Sequence, residues 1–247
     1  MPNLYRFAAL SDHWAAGLLR RTYRGLRDFS VPAPRLLTRP ILAVLLGLRE
    51  ATRFLRRVFV VEPLFKSRCA SYGRNLHTGF ELPGVQGDGD ILLGDNVMID
   101  GKVAIFFATR YGGRPRLIIG DNTGIGHACA FTVGREIRIG KHCRFGGLIA
   151  VFDAPGHPAD PAARLAGLPS VLDEVKPIVI GDNVWVGTSS VIYPGVTIGD
   201  NSIVAMGSVV MSNVASNVMV AGNPARMIRT LNPPPGTPAP QSPAGTA

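Results

Sequence analysis

Residues 180–210 read IGDNVWVGTSSVIYPGVTIGDNSIVAMGSVV, and Ile180, Val186, Ile192, Ile198, Val204 and Val210 stand six apart within them. A helix returns its apolar face every 3.6 residues and a half-buried strand every second residue, so a pulse of six fits neither. It fits a solenoid whose six-residue unit is one short flat strand and a turn, with roughly 18 residues closing a triangular coil. The pulsed side chain then fills a narrow interior. The next position is small, as at Gly181, Gly187, Gly199 and Ala205, because a corner near a crowded axis leaves little room and can require unusual dihedrals. Four positions after the pulse come Val184, Ser190, Val196, Ser202, Ser208 and Val214, small or β-branched residues that fit beside a packed interior. Gly-Asp-Asn recurs at 94–96, 120–122, 181–183 and 199–201, a turn signal, since Asp and Asn bond their own backbone and Asn tolerates left-handed dihedrals. The pulse extends backward through Leu93 and Ile99, then Ile119, Ile125 and Phe131, then Ile139, Phe145 and Val151. The expected fold is an all-β solenoid.

The 247 residues, 46% of them hydrophobic, suffice for one or two domains. The 29 glycines suit a turn-rich solenoid, and part of the 20 prolines falls in residues 232–247, a tail with little to bury that is expected to be disordered. Charge is unevenly placed. Residues 1–70 hold 13 Arg or Lys against Asp12, Asp28, Glu50 and Glu62, which accounts for the whole formal net charge of +9. The solenoid is therefore balanced, which excludes nucleic acid as its partner and moves any electrostatic partner to the front of the chain. Three cysteines, an odd number, make no disulfide framework. Cys129 and Cys143 each follow a pulse residue by four and read as buried packing, which points to a reducing, cytoplasmic setting.

Residues 1–70 read as a basic amphipathic helical segment, with a β-helix domain over 71–231 behind it. Leu4, Phe7, Trp14, Leu18 and Leu19 have helical spacing and lead into Arg20, Arg21, Arg24 and Arg27. Leu4–Leu10 is too short and polar for the apolar region of a cleaved signal. Pro40 before the apolar run Ile41–Leu48 predicts a helix start with proline in its first turn. That run is well short of the ~20 apolar residues a bilayer requires. Two readings fit: a peripheral membrane anchor through residues 1–65, or a pair of helices padding the open end of the solenoid or a subunit contact.

The pulse stops between Val151 and Ile180, and the inserted loop, 154–177, opens on His157. Loops extruded at a coil corner are where function collects. The run His157-Pro158-x-Asp160-Pro161-x-x-Arg164-x-x-Gly167, with Lys176-Pro177-Ile178, Gly181-Asp182-Asn183-Val184-Trp185-Val186-Gly187, Pro194-Gly195-Val196 and Gly222-Asn223-Pro224-Ala225, resembles the hexapeptide-repeat acetyltransferases of the maltose, galactoside and nodulation-factor O-acetyltransferase type. The likeness covers roughly residues 90–231. It implies a left-handed parallel β-helix, a homotrimer, and acetyl-CoA as acyl donor in a groove between subunits. His157 would be the general base, because a hydroxyl must lose its proton as it attacks a thioester, and imidazole, with a pKa of ~6.5, can take it near neutrality. Trp185 and Thr188 would line the donor groove, Arg226 and Arg229 would meet the donor's phosphates, and Asp160 and Arg164 would contact the acceptor. The acceptor class implied is a sugar, a surface polysaccharide or its precursor, since a basic apolar front before the solenoid looks like exopolysaccharide and capsule acetyltransferases.

The chain also departs from that pattern. Where many relatives place Thr-Lys-Asp after the last coil, it has Met211-Ser212-Asn213, so one expected cation is missing, and residues 1–70 do not resemble the maltose enzymes' N-terminal domain. His127, His142 and His157 are spaced by 15, whereas stacked faces recur every 18, so no metal site is expected. A streptogramin-type xenobiotic acetyltransferase and a non-catalytic trimeric scaffold remain the alternative readings.

Overall fold

The computed structural model of the chain describes residues 6–7, 9–168 and 170–232. The expected disordered tail lies outside the described residues except for residue 232, as does Leu4 of the first amphipathic stretch. Residues 1–51 and 52–247 form two compact units.

The second unit is the left-handed parallel β-helix. One face is an eight-stranded sheet running through His77–Thr78, Met98–Ile99, Gly124–Ile125, Arg144–Phe145, Trp185–Val186, Ile203–Val204, Val218–Gly222 and Ala225–Thr230. A six-stranded face stacks Gly84–Gln86, Ala104–Phe107, Ala130–Val133, Ala150–Phe152, Val191–Ile192 and Val209–Val210. The five-stranded face stacks Asp90–Leu93, Arg116–Ile119, Glu136–Ile139, Ile178–Ile180 and Thr197–Ile198. All ladders are parallel except the last, where Ala225–Thr230 turns back antiparallel on Val218–Gly222. Trp185 pairs with Ile203, 18 residues on, whereas Arg144 pairs with Trp185, 41 residues on, because the histidine loop intervenes. Every residue of the six-residue pulse is buried, and so are all six positions that follow it by four.

The corner from the five-stranded to the eight-stranded face shows what Gly-Asp-Asn does. The glycine there needs no positive φ. A Cβ on Gly120 would lie 2.8 Å from the Gly140 carbonyl oxygen of the next coil, so close stacking alone excludes a side chain. The left-handed residue is the asparagine two positions on, with φ of 54° at Asn183 and 59° at Asn201. The asparagines form a ladder: Asn75 donates to Asn96 at 2.9 Å, Asn96 to Asn122 at 3.0 Å, Asn183 to Asn201 at 2.9 Å and Asn201 to Asn217 at 3.0 Å. His142 occupies the rung between Asn122 and Asn183, at φ 58°. The aspartates accept from the preceding coil, as Asp182 Oδ1 does from the Lys141 N–H at 2.7 Å.

Helix α1 spans Trp14–Arg27, capped by His13 Nδ1, which accepts the Ala15 N–H at 3.2 Å. Helix α2 spans Arg35–Arg56 and contains Pro40 in its interior, a start earlier than the sequence suggested. Pro34 supplies that earlier start, its carbonyl accepting the N–H groups of Leu37 and Thr38 at 3.0 Å each. A π-turn, Arg57–Val61, leads to α3, Glu62–Lys66, whose Phe65 is fully buried in the same core as the coils and closes their first end. Within the second unit, the Arg53 guanidinium also stacks over the Phe80 ring at 4.6 Å.

Candidate active site

The histidine loop leaves the six-stranded face after Phe152 and rejoins the five-stranded face at Ile178. Its root is Asp153, fully buried, whose carboxylate accepts the N–H groups of Gly134 at 2.5 Å, Arg135 at 2.8 Å and Glu136 at 2.7 Å. Burial pushes the Asp153 carboxyl above its ordinary range, and these three donors offset only part of that. A smaller apolar cluster of Tyr111, Ala154 and Val175 ties both ends of the loop to the segment at 108–115, itself an insertion at the same corner.

Side chains hold the backbone on either side of His157. The Tyr111 hydroxyl donates to the Pro155 carbonyl at 2.9 Å and Arg110 Nη2 to the Gly156 carbonyl at 2.9 Å. Arg164 Nη1 donates to the carbonyls of Pro158 and Ala159 at 2.9 and 3.0 Å. Asp160 caps the short helix α4, Pro161–Leu165, accepting the Ala163 N–H at 2.7 Å. Both residues assigned to an acceptor are therefore engaged in shaping the loop, while His157 itself is exposed.

His157 lines a cleft of about 390 Å³ with Phe152, Asp173, Glu174, Lys176 and Tyr193. The Phe152 and Tyr193 rings lie 4.8 Å apart at 60°, an apolar wall, and Glu174 Oε2 is buried without a hydrogen-bond partner. Such a cleft, apolar with a few convergent polar groups, has the makings of a small-molecule site. Sequence reasoning missed Tyr111, Arg110 and Asp153, which lie outside the histidine motif, although the lengthened corner at 108–115 marks two of them.

The other named residues gather elsewhere. Trp185, 56% exposed, pairs across the eight-stranded face with Ile203, Ile203 with Met219 and Met219 with Arg229, so one row of side chains runs from the tryptophan to a cation. At ~4.8 Å per strand the row is about 14 Å long. Arg226 is exposed on the same last strand, and Arg144 stands beside Trp185 on the other side. Thr188 lies at the next corner, where its N–H would be 2.7 Å from a Cβ on Gly146. The corner that carries His157 is the one opposite the eight-stranded face, so one chain does not bring His157 together with Trp185, Thr188, Arg226 and Arg229. His127, His142 and His157 occupy three different corners, and among the described residues no cluster of three His, Cys, Asp or Glu could hold a metal ion. Cys129 and Cys143 are buried free thiols, both raised in pKa by desolvation.

Residues 177–212 match the family described as bacterial transferase hexapeptide (six repeats). The galactoside O-acetyltransferase of Escherichia coli K12 is 35% identical over 133 residues, 46% of this chain and 64% of the relative. That of Lactococcus lactis is 34% identical over 97 residues, 39% of this chain and 44% of the relative. The chain thus spans about half to two thirds of the length of these curated relatives. The crystal structure of AntD, an N-acyltransferase from Bacillus cereus in complex with dTDP and 3-hydroxybutyryl-CoA, has the same fold, with a TM-score of 0.57 and 22% identity over 69% of this chain and 88% of that one. Residues 177–212 of the solenoid thus match the bacterial transferase hexapeptide, and in sequence the chain is similar to galactoside O-acetyltransferases.

Proposed function

We propose that the protein transfers an acetyl group from acetyl-CoA to a hydroxyl of a sugar, a surface polysaccharide or its precursor, with His157 as general base. The observation that carries this reading is an exposed imidazole at a cleft walled by Phe152 and Tyr193, on a loop whose carbonyls are held on both sides of it. The names of the similar galactoside O-acetyltransferases support the acyl group and the sugar.

In the reaction the acceptor hydroxyl gives its proton to His157 as its oxygen bonds to the thioester carbonyl carbon. The tetrahedral adduct then collapses, the C–S bond breaks, and the proton passes from His157 to the departing thiolate. Acetyl-CoA is a long substrate with anionic phosphates at one end, and the Trp185–Ile203–Met219–Arg229 row suits it: apolar side chains lead to a cation, with Arg226 beside it. Because that row and His157 lie on opposite sides of a coil, a donor on one subunit would meet the histidine of another. We infer a homotrimer on that ground, working in the cytoplasm, with residues 1–65 in contact with the inner face of the membrane.

Replacement of His157 by alanine tests the reading. Thiol release from acetyl-CoA in the presence of a sugar acceptor is expected to fall by about 10²–10⁴-fold. Unchanged turnover would remove His157 from the mechanism. Mass spectrometry of surface glycans from cells with and without the protein identifies the acceptor by the loss of an acetyl increment.

A further inference from the structure

Helix α2 buries none of its residues. Leu37, Ile41, Val44, Leu48 and Leu55 recur at helical spacing along one side and every one is more than half exposed. Arg35 and Arg39 near its start and Arg49, Arg53 and Arg56 near its end lie on the opposite side, with Arg53 stacked over the Phe80 ring. In α1, Trp14, Leu18 and Leu26 are exposed in the same way, with Arg20, Arg24 and Arg27 on the other side. The two helices together carry nine arginines and one acidic residue, Glu50.

A large apolar face left open on a soluble protein marks a contact. Crossing a bilayer is not its purpose, since no described helix is long and apolar enough. A second copy of the same helices would set nine arginines against nine, which like-charge repulsion opposes. A surface that is apolar beneath and negatively charged above satisfies both sides of each helix at once: the leucines enter the acyl boundary and the guanidinium groups stay among phosphates.

We propose that α1 and α2 form an interfacial anchor selective for anionic phospholipid, lying in the plane of the membrane with Leu37, Ile41, Val44, Leu48 and Leu55 inserted. This deepens the membrane contact inferred above and stands apart from the acyl-transfer chemistry. It also gives the acceptor a location, since a sugar carried on a membrane lipid would be met at the surface where it is embedded.

The test is co-sedimentation of the full chain with vesicles of phosphatidylglycerol and phosphatidylcholine, against phosphatidylcholine alone, at low and high salt. The expected result is binding to the anionic vesicles that weakens about tenfold or more at high salt, where charges are screened. The double substitution Ile41→Glu with Leu48→Glu, at exposed positions that leave the solenoid folded, is expected to abolish binding while solution thiol release with a soluble acceptor is unchanged. Equal binding to both vesicle types would overturn the lipid selectivity. Equal binding of variant and wild type would overturn the inserted face. A wild-type chain that ignores vesicles but shrinks in sedimenting mass on the double substitution would assign the face to a second copy instead. Absence of thiol release in the wild type would strike the acyl-transfer reading and leave the vesicle result standing.

Discussion

Tyr111 and Asp153 show how single residues set the place of the exposed histidine. The Tyr111 hydroxyl is the donor for the Pro155 carbonyl, and its ring packs on Ala154 and Val175 at the two ends of the loop. Tyr111→Phe keeps the ring and removes the donor, so it is expected to cost about 0.5–1.5 kcal/mol of stability. If His157 is the base, kcat falls about tenfold while KM for acetyl-CoA holds, because the imidazole is displaced and the donor row is untouched. Steady-state kinetics with a urea melt checks both. Asp153 carries a pH signature. Its folded carboxyl holds a proton more tightly than the unfolded one, so the folded state binds more protons between the ordinary carboxylate value of ~3.9 and the raised value, and stability from this group is lost as pH rises through that window. Asp95 and Asp121, lowered by hydrogen bonds from Arg74 and Lys141, act with the opposite sign, gaining stability as pH rises. The stability difference between wild type and Asp153→Asn isolates the one group. It is expected to move against the wild type as pH is raised from the acid side, and a difference flat with pH would show that the three N–H donors fully offset the burial.

At the scale of the element, the corner ladder explains why the turn tripeptide is legible in sequence while the role of each of its residues is set by the next coil. The recurrence of Gly-Asp-Asn marked a turn, yet whether Gly or Asn took the left-handed dihedral depended on the neighbouring coil. Gly120 and Gly181 are small because the next coil stands where a Cβ would be, and that is an inter-coil distance. The same stacking makes His142 an anomaly that a repeat pattern alone cannot rank. It interrupts a run of side-chain amides whose bonds resume at Asn183. His142→Asn is expected to continue the ladder, with Asn122 donating to the new side chain and the new side chain donating to Asn183. At an exposed corner the two bonds should add about 1 kcal/mol in total, which for a chain of this size raises Tm by about 2–4 °C. Calorimetry reads this directly, and an unchanged or lowered Tm would show that the histidine is better placed than the amide.

For the whole molecule, the six-residue pulse was enough for the three faces and the place of the long loop, because each coil repeats one inward residue per face. It missed the first coil. Thr78 occupies, fully buried, the place that Ile99 takes one coil later, and a polar residue does not register in an apolar count. Charge and amphipathicity draw the helical segment on to residue 70, and the compact units divide after residue 51. The residues in between hold the end of the solenoid: Phe65 lies in the core of the coils, and Arg57 pairs with Glu62 at 3.1 Å. Two truncations therefore separate. In a stacked solenoid each coil is stabilised by its neighbours, and an end coil without a cap exposes its interior. A chain of residues 52–247 keeps Phe65, and among the described residues before 52 it gives up only Ala16 from the buried set, so its melting temperature is expected to match that of the full chain. A chain of residues 71–247 loses Phe65 from the core of the coils, at a cost of the order of a core Phe→Ala change, about 3–5 kcal/mol. Its first coils should exchange amide hydrogens quickly while those around Ile192 stay protected. Equal melting of the two truncations would show that α3 covers the end of the solenoid without supporting it.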